Sequence, residues 1–172
     1  MRALELAAQA AAMGEVPVGA VVVQKSTGRI IGEGYNRREA DRSPLAHAEI
    51  MAIDAASRTL GGWRLLDSAL YVTLEPCPMC AGAILHARLE QVVYGTADPK
   101  GGAVDSVEQL FALPYNWTPE VHAGLLQAEC ARSCGIFSGT SSEKAGGKDC
   151  TQWNIHALKK EKRQTVVCLF CF

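Results

Sequence analysis

Two short strings in this sequence combine residue types that ligate metal ions and move protons, His47-Ala48-Glu49 and Pro76-Cys77-Pro78-Met79-Cys80. Residues three apart on a helix lie on one face, so Cys77 and Cys80 can hold one ion if a helix begins there. Pro78 fits the first turn of that helix, because the N–H it lacks would have no partner at that position. Cys77 is then the N-cap, where the positive end of the helix dipole favours the thiolate that binds metals.

His47 can supply a third ligand from the start of another helix. Three protein ligands leave a fourth position for water, as in a catalytic zinc site, whereas a structural zinc is closed by four protein ligands. Glu49 can approach the same ion only if its helix is just beginning, because side chains two apart on a regular helix point in nearly opposite directions. Ser43-Pro44 upstream favours such a start. We therefore predict that Glu49 moves protons beside the zinc-bound water.

Each string alone has simpler explanations. A Cys-x-x-Cys pair also occurs in redox motifs and structural zinc sites, and a lone His-x-Glu carries almost no information. Their combination, with Pro76 before Cys77 and Cys77 30 positions after His47, resembles the pattern of zinc-dependent deaminases. A structural zinc module is the non-enzymatic alternative, and it predicts that replacing Glu49 by Gln matters little.

The strings lie in a chain whose helical and strand patterns alternate, as in layered α/β domains. Met1 to Met13 is rich in Ala and Leu and ends at Gly14, which predicts a helix. The β-branched run Val16 to Val23 and the return from Arg29 to Tyr35 predict a hairpin. The other predicted elements are helices at 46–60, 78–89, near 106–110 and at 125–132, and strands at 69–73 and 91–95.

The composition is that of a globular protein, with 172 residues of which 48% are hydrophobic and 20% charged. It excludes a disordered, collagen-like or transmembrane chain as the overall class, since no apolar run approaches the roughly 18 residues of a membrane span. Seven cysteines, an odd number, and no visible export signal predict a reducing cytoplasm. The net charge of −1 divides into −4 for residues 1–142 and +3 for 143–172, which excludes a uniformly basic nucleic-acid binder.

The two strings and their surroundings resemble the bacterial tRNA-specific adenosine deaminase family, within the cytidine deaminase superfamily. The resemblance runs from residue 1 to about Arg132 and is strongest over Ala46–Ala52 and Leu70–Ala83. It implies an α/β, three-layer cytidine-deaminase-like fold, with a mixed central sheet of about five strands flanked by helices. Supporting strings are Gly14–Val21, Gly61–Leu65 and Asp98–Gly102.

The resemblance also implies an enzyme, a hydrolase acting on the C–N bond of a cyclic amidine. Its reaction would convert adenosine to inosine at the wobble position of tRNA anticodons, with one zinc ion per chain. The implied partners are the tRNA anticodon stem-loop and a second copy of the chain in a homodimer, with no membrane. The implied site residues are His47, Cys77 and Cys80 for zinc, Glu49 for catalysis, and Asn36, Asp98 and Lys100 for substrate.

The substrate residues have alternatives. Asn36 matches the family's pocket asparagine, although it could simply be the turn residue that ends the hairpin. Asp98 and Lys100 lie in a loop resembling the one beside the bound strand, and a solvated loop charge explains each of them equally well. The arginines that follow Asn36 could meet phosphates or face solvent. These arginines are Arg37, Arg38 and Arg42.

The main enzymatic alternative is a deaminase of the same fold that acts on a free base or nucleoside, such as guanine or cytosine. The zinc site alone does not separate the two, and the strings outside the site favour tRNA. The chain also carries Asn116-Trp117 where the family usually has Asn-His, which puts one nucleotide contact in doubt.

The end of the chain departs from the family. We predict a zinc-dependent deaminase domain at 1–138 and an atypical, poorly ordered C-terminal tail at 139–172, because Gly139 to Gln152 contains no large apolar side chain. Gly135 to Ser141 can be back-translated so that a frame displaced by one base reads Gly-Phe-Phe-Arg-Gly-Leu-Arg, the ending expected for the family. A frame-shifted end from about Cys134 is therefore a hypothesis, and the codons of the gene test it.

Overall fold

A computed structural model describes residues 1–135, which form a mixed five-stranded sheet between two layers of helices. The predicted tail at 139–172 lies outside the described residues. The strands are β1 (Gly19–Gln24), β2 (Ile30–Tyr35), β3 (Ser68–Leu74), β4 (Gln91–Thr96) and β5 (Glu120–Ala123). The helices are α1 (Arg2–Ala12), α2 (Ala48–Leu60), α3 (Pro78–Ala87) and α4 (Gln127–Ser133), with a 3-10 turn at Leu110–Ala112.

The strands lie in the order β2-β1-β3-β4-β5. Strand β1 is antiparallel to β2 and β3, whereas β3, β4 and β5 are parallel to one another. Helices α2 and α3 pack together on one face, and α1 and α4 cover the other. The predicted three-layer α/β fold is confirmed. Within residues 1–135, no helix has both the length and the apolar character needed to cross a bilayer.

Helix α2 approaches strand β2 very closely. A Cβ atom at Gly34 would clash with the backbone of Ala48, and one at Gly32 would clash with the backbone of Ala52. The facing side chains of α2 are small and fully buried, which permits the contact. The first turn of α2 is therefore fixed against the sheet, and His47 is the residue just before it.

Two sequence predictions differ from the structure. The helix predicted near 106–110 is absent from the described residues, where the chain forms a loop before the 3-10 turn at Leu110–Ala112. Strand β5 was not predicted, because Glu120 to Ala123 is an edge strand of only four residues, most of which are exposed. Pairing with β4 supplies the order that this sequence lacks.

Candidate active site and metal centre

The candidate site lies where the parallel strands β3 and β4 end. Strand β3 ends at Leu74 and leads directly into Cys77 and α3, while β4 ends at Thr96 and leads into the loop that contains Asp98. Open α/β sheets bind ligands in the crevice beyond the carboxyl ends of their parallel strands. The two helices that begin at this edge bring their N-termini together: His47 is the N-cap of α2 and Cys77 is the N-cap of α3.

The three predicted metal ligands meet at this point. The Nδ1 atom of His47 lies 3.7 Å from Sγ of Cys77 and 3.6 Å from Sγ of Cys80. A tetrahedral zinc with Zn–S near 2.3 Å and Zn–N near 2.0–2.1 Å places nitrogen and sulfur about 3.6 Å apart. The spacing and the donor set of one imidazole and two thiols therefore fit one zinc ion. Among the described residues, these three form the cluster suited to holding a metal.

The thiols are electrostatically prepared for a cation. Hydrogen bonding from Cys80, assisted by His47, lowers the pKa of Cys77 to about 4. The same hydrogen bond, together with burial, raises the pKa of Cys80. Hydrogen bonding to Cys77 raises the pKa of His47. The helix start thus favours the thiolate form of Cys77, and metal binding would require the second thiol to lose its proton as well.

Glu49 lies in the first turn of α2 and is only 4% exposed. Burial is the main cause that raises the pKa of Glu49 to about 7, and the negative charge on Cys77 adds to it. A carboxyl group that titrates near neutral pH can accept a proton and return it in one reaction cycle. Since α2 begins at Ala48, Glu49 follows the N-cap His47 by two positions at an irregular helix start, as the sequence pattern required.

Asn36 follows the last residue of β2 and is buried, with 5% exposed. Its Nδ2 donates a 3.4 Å hydrogen bond to the carbonyl oxygen of Val16, which holds the amide in one orientation. Its Oδ1 is buried and has no hydrogen-bond partner within residues 1–135. A buried acceptor without a partner costs stability, and this oxygen is free to accept a hydrogen bond from a molecule outside the protein.

Asp98 and Lys100 lie in the loop that follows β4. Asp98 stabilises the loop itself, since its Oδ1 accepts a 3.0 Å hydrogen bond from the backbone N–H of Lys100. The Asp98 carbonyl oxygen accepts another from Gly102 at 2.9 Å. Lys100 is exposed. The structure thus gives Asp98 a local structural role, while Lys100 is an exposed residue of the same loop.

The arginines after Asn36 differ in their surroundings. Arg37 pairs with Asp41 at 2.7 Å and donates a 3.0 Å hydrogen bond to the hydroxyl of Tyr35. Arg38 is exposed, makes no side-chain hydrogen bond within the described part of the chain, and its charge opposes the protonation of His47. Of these two, Arg38 is therefore the cation available to a phosphate near the site.

Trp117 lies before β5, near the start of β4 and thus at the end of the strands opposite to the metal ligands. Its indole N–H donates a 2.7 Å hydrogen bond to the carbonyl oxygen of Leu89, and Arg88 lies over its ring at 5.8 Å. Arg88 also donates to Asn116 at 2.9 Å. The exchange of the family's His for Trp117 therefore falls in a structural cluster away from the metal ligands.

Sequence reasoning missed two buried carboxylates, Glu15 and Glu75. Oε1 of Glu15 accepts hydrogen bonds from the backbone N–H groups of Glu39 and Ala40, at 3.0 and 2.9 Å, and so fixes the loop between Asn36 and the metal ligand of α2. Glu75 does the same for the loop after β4. Their positions inside apolar strings were the available signal, because a buried carboxylate needs partners.

Comparisons with known proteins agree with this geometry. The family model for the cytidine and deoxycytidylate deaminase zinc-binding region matches residues 1–96. Over 136 residues the chain is 48% identical to the tRNA-specific adenosine deaminase of Haemophilus influenzae, and the match covers 78% of each protein. The chain belongs to the tRNA-specific adenosine deaminase family.

A second curated relative and two solved structures extend the comparison. The tRNA-specific adenosine deaminase of Bacillus subtilis is 46% identical over 78% of this chain and 83% of its own length. A structure from work on A-to-I editing by tRNA:A34 deaminases aligns with a TM-score of 0.73 and 45% identity, covering 76% of this chain and 94% of that one. A guanine deaminase from Nitrosomonas europaea aligns with a TM-score of 0.63 and 28% identity, covering 77% of this chain and 79% of its own.

Proposed function

We propose that this chain is a zinc-dependent hydrolase that converts adenosine to inosine at the wobble position of tRNA anticodons. The observation that carries the proposal is the joint placement of His47, Cys77 and Cys80 beside the buried Glu49, in a chain 46–48% identical to tRNA-specific adenosine deaminases. In the reaction, adenosine and water give inosine and ammonia, so one water molecule must be activated and one amino group protonated.

His47, Cys77 and Cys80 would hold the zinc ion through one nitrogen and two sulfurs. Zinc, when bound, supplies a Lewis acid that lowers the pKa of water towards 7. The ligands lie at two helix N-termini, whose backbone N–H groups stabilise the thiolates. Helix starts fixed to a sheet hold their side chains more precisely than loops do.

Glu49 would carry the protons. Its carboxylate accepts a proton from the attacking water, delivers it to the ring nitrogen beside C6, and assists the departure of ammonia. Burial keeps the carboxyl out of bulk solvent and raises its pKa to about 7, so both protonation states are accessible at neutral pH. A structural zinc module would not require a buried acid in this position.

Asn36 and the neighbouring loops would bind the nucleotide. The unpartnered Oδ1 of Asn36 accepts a hydrogen bond from the nucleoside, which completes the hydrogen bonding of a buried group. Lys100 and Arg38 supply cations at the edge of the site for phosphates on either side of the target base. Asp98 shapes the loop that presents Lys100.

The target base must leave the base stack before it can reach a buried site. In an anticodon loop this costs little, because the nucleotides are already single-stranded. Recognition of a loop in this way fits a protein whose charge excludes a uniformly basic surface. We expect the reaction to take place in the cytoplasm, where tRNA and unpaired thiols coexist.

We also propose that the enzyme acts as a homodimer. Several large apolar side chains remain exposed in the single chain, more than isolated surface positions need. Light scattering of the purified protein should give twice the chain mass of 18.4 kDa. A mass of one chain at micromolar concentration contradicts this proposal. The exposed apolar side chains meant here are Leu45, Leu60, Trp63, Leu66, Leu113 and Tyr115.

Deamination of a free base is the second candidate function. It is favoured by the structural likeness to the guanine deaminase of Nitrosomonas europaea, which is a member of the same fold. The zinc ligands and the proton carrier would be the same in both reactions. The difference lies in whether the site accepts a nucleotide within RNA.

One assay separates the two functions. The zinc-loaded protein is incubated with an anticodon stem-loop that carries adenosine at the wobble position, and in parallel with free adenosine, guanine and cytidine. We expect inosine in the stem-loop and negligible turnover of the free compounds. Turnover of a free base alone would overturn the tRNA assignment.

A further inference from the structure

The carboxylate of Glu75 lies between the strand that leads to the metal ligands and the loop that follows β4. Its residue is only 2% exposed. Oε1 accepts hydrogen bonds from the backbone N–H groups of Val104, Asp105 and Ser106, at 3.1, 2.8 and 2.9 Å. Oε2 accepts one from the backbone N–H of Asp98 at 2.9 Å and another from the Ser106 hydroxyl. One side chain thus organises both ends of this loop, which we define as the substrate loop, residues 97–106.

The backbone on either side of Glu75 is bound to the substrate loop as well. The N–H of Glu75 donates to the carbonyl oxygen of Thr96, the residue just before the substrate loop, at 2.8 Å, and the N–H of Ala103 in the loop donates to the carbonyl oxygen of Pro76 at 2.9 Å. Gly102 packs directly on the carboxylate, where any Cβ atom would clash with it. The substrate loop therefore closes around Glu75 on three sides.

The charge on Glu75 matches this environment. Both carboxylate oxygens accept hydrogen bonds from N–H or O–H groups of the substrate loop, as an ionised carboxylate can. Four backbone N–H groups and one hydroxyl point at an ionised acceptor, and such hydrogen bonds are stronger than those between neutral groups. The carboxylate is therefore a fixed centre of the loop.

Glu75 is also two residues before the metal ligand Cys77, at the end of a buried strand. The carboxylate therefore connects the substrate loop to the segment that leads into the zinc ligands. Building on the proposed deamination of RNA, we propose that Glu75 is a positioning residue that holds the substrate loop, with Asp98 and Lys100, at a fixed place relative to the metal centre.

The variant Glu75→Gln tests this role. The amide keeps the size of the side chain but brings an NH2 group into a cluster of N–H donors, so at least one of these hydrogen bonds is lost. In the proposed function the substrate loop would contact the RNA around the reacting base, so we expect KM for the stem-loop to rise tenfold or more. We expect kcat to change less than threefold and zinc to remain at one per chain.

Two further variants guard against simple unfolding. Ser106→Ala removes one hydrogen bond to the carboxylate from an exposed position and should raise KM two- to fivefold. Glu90→Gln is the matched control, because Glu90 also accepts a backbone N–H, that of Asp67 at 3.0 Å, but at the opposite edge of the sheet. Its KM should equal that of the unaltered enzyme.

Hydrogen exchange measures how well the substrate loop protects its backbone amides, and it needs no assay of activity. In Glu75→Gln, the amides of Asp98 and of Val104 to Ser106 should exchange at least tenfold faster, while those of α2 and α3 keep their protection. Unchanged exchange at these amides overturns the proposal, as does a fall in kcat with KM unaltered. If the unaltered protein forms no inosine, the proposed function fails, and the exchange experiment still decides whether Glu75 holds the loop.

Discussion

Glu49 illustrates how position alone converts an ordinary side chain into a proton carrier. On an exposed helix the same residue would be ionised at neutral pH and would serve only as a surface charge. Here it is buried in the first turn of α2, beside the thiols of the metal centre, and its pKa is raised to about 7. Burial supplies most of that change, because it disfavours the charged form.

Replacing Glu49 by Gln should abolish deamination without loss of zinc. The amide preserves shape but cannot accept a proton, and positioned acid–base groups contribute about 10²–10⁴-fold to rate. We expect kcat on the stem-loop to fall by at least about 100-fold, with one zinc per chain by elemental analysis. Asp54→Asn is the control, because Asp54 lies exposed on the same helix. Undiminished activity in Glu49→Gln would refute the assignment.

Removing zinc should make the stability of the protein depend on Glu49 and pH. The folded pKa of Glu49 is about 7, above the ordinary 4.5. The folded state therefore binds more protons between these values, and its free energy of unfolding falls as pH rises from about 4.5 to 7. In chelator-treated samples, the free energy of unfolding of Glu49→Gln should therefore rise relative to that of the unaltered protein as pH increases over this range. The relative rise should reach up to about 3 kcal/mol. Denaturant titrations at pH 5 and pH 8 measure the difference, and an equal difference at both contradicts it.

The two kinds of cysteine in the described residues should respond differently to substitution. Cys77→Ser removes a thiolate ligand, so we expect zinc content to fall well below one per chain after dialysis against a weak chelator. Cys134→Ser is the matched control: its Sγ donates a 3.4 Å hydrogen bond to the carbonyl oxygen of Pro17, which a serine can replace. Burial raises the pKa of Cys134 to about 12, and Cys134 lies outside the cluster of His47, Cys77 and Cys80 that could hold a metal. Zinc loss from both variants would show that the effect is general destabilisation.

At the scale of secondary structure, the metal centre depends on how closely α2 packs on β2. Gly34 touches the backbone of Ala48, which follows the ligand His47 directly. Gly34→Ala must push the first turn of α2 outward, and such overpacking costs about 1–3 kcal/mol. We expect a lower melting temperature and weaker zinc retention. Gly62→Ala is the control, since a Cβ at Gly62 meets no atom within 4 Å, and its zinc retention should be unchanged.

The elements that position the site were predictable where burial imposes a pattern. Strands β1 and β3 are buried on both faces and are nearly continuous apolar runs, and α1 and α3 have clear start or stop residues. The edge strand β5 was missed because Glu120 to Ala123 is only four residues long, is mostly exposed, and gains its order from β4. Local patterns report local burial, and they do not report pairing with a distant strand.

The site itself was predictable for a different reason. Metal chemistry restricts the residue types so strongly that the sequence proposes His47, Cys77 and Cys80 together, and the structure brings their ligand atoms within reach of one ion. Glu75 could not be selected in this way, because its partners are backbone N–H groups about 23–31 positions away, and these leave no trace in side-chain chemistry. The same holds for the unpartnered Oδ1 of Asn36, which only the folded surroundings reveal.

Across the whole molecule, the two ends of the parallel strands differ in the residues they carry. The edge at the ends of β3 and β4 carries the ligands, Asn36 and the substrate loop. At the amino ends of these strands, arginines contact aromatic rings. Arg88 lies over Trp117 and Arg64 over Trp63. Changes at that end, including the departure at Trp117, should therefore act through stability rather than through the reaction.

The last helix of the described residues, α4, packs on the sheet, and this leads to a prediction about the C-terminal tail. Helix α4 packs on β4, with Cys130 seated against Gly95, and Cys134 at its end is 1% exposed beside Pro17. Deletion of residues 139–172 should therefore leave one zinc per chain and change the melting temperature by less than about 4 °C, the shift expected for about 1 kcal/mol in a domain of this size. Calorimetry and elemental analysis of the shortened and full chains measure both quantities. Loss of cooperative unfolding in the shortened chain would place part of the folded domain beyond residue 138 and would overturn this boundary.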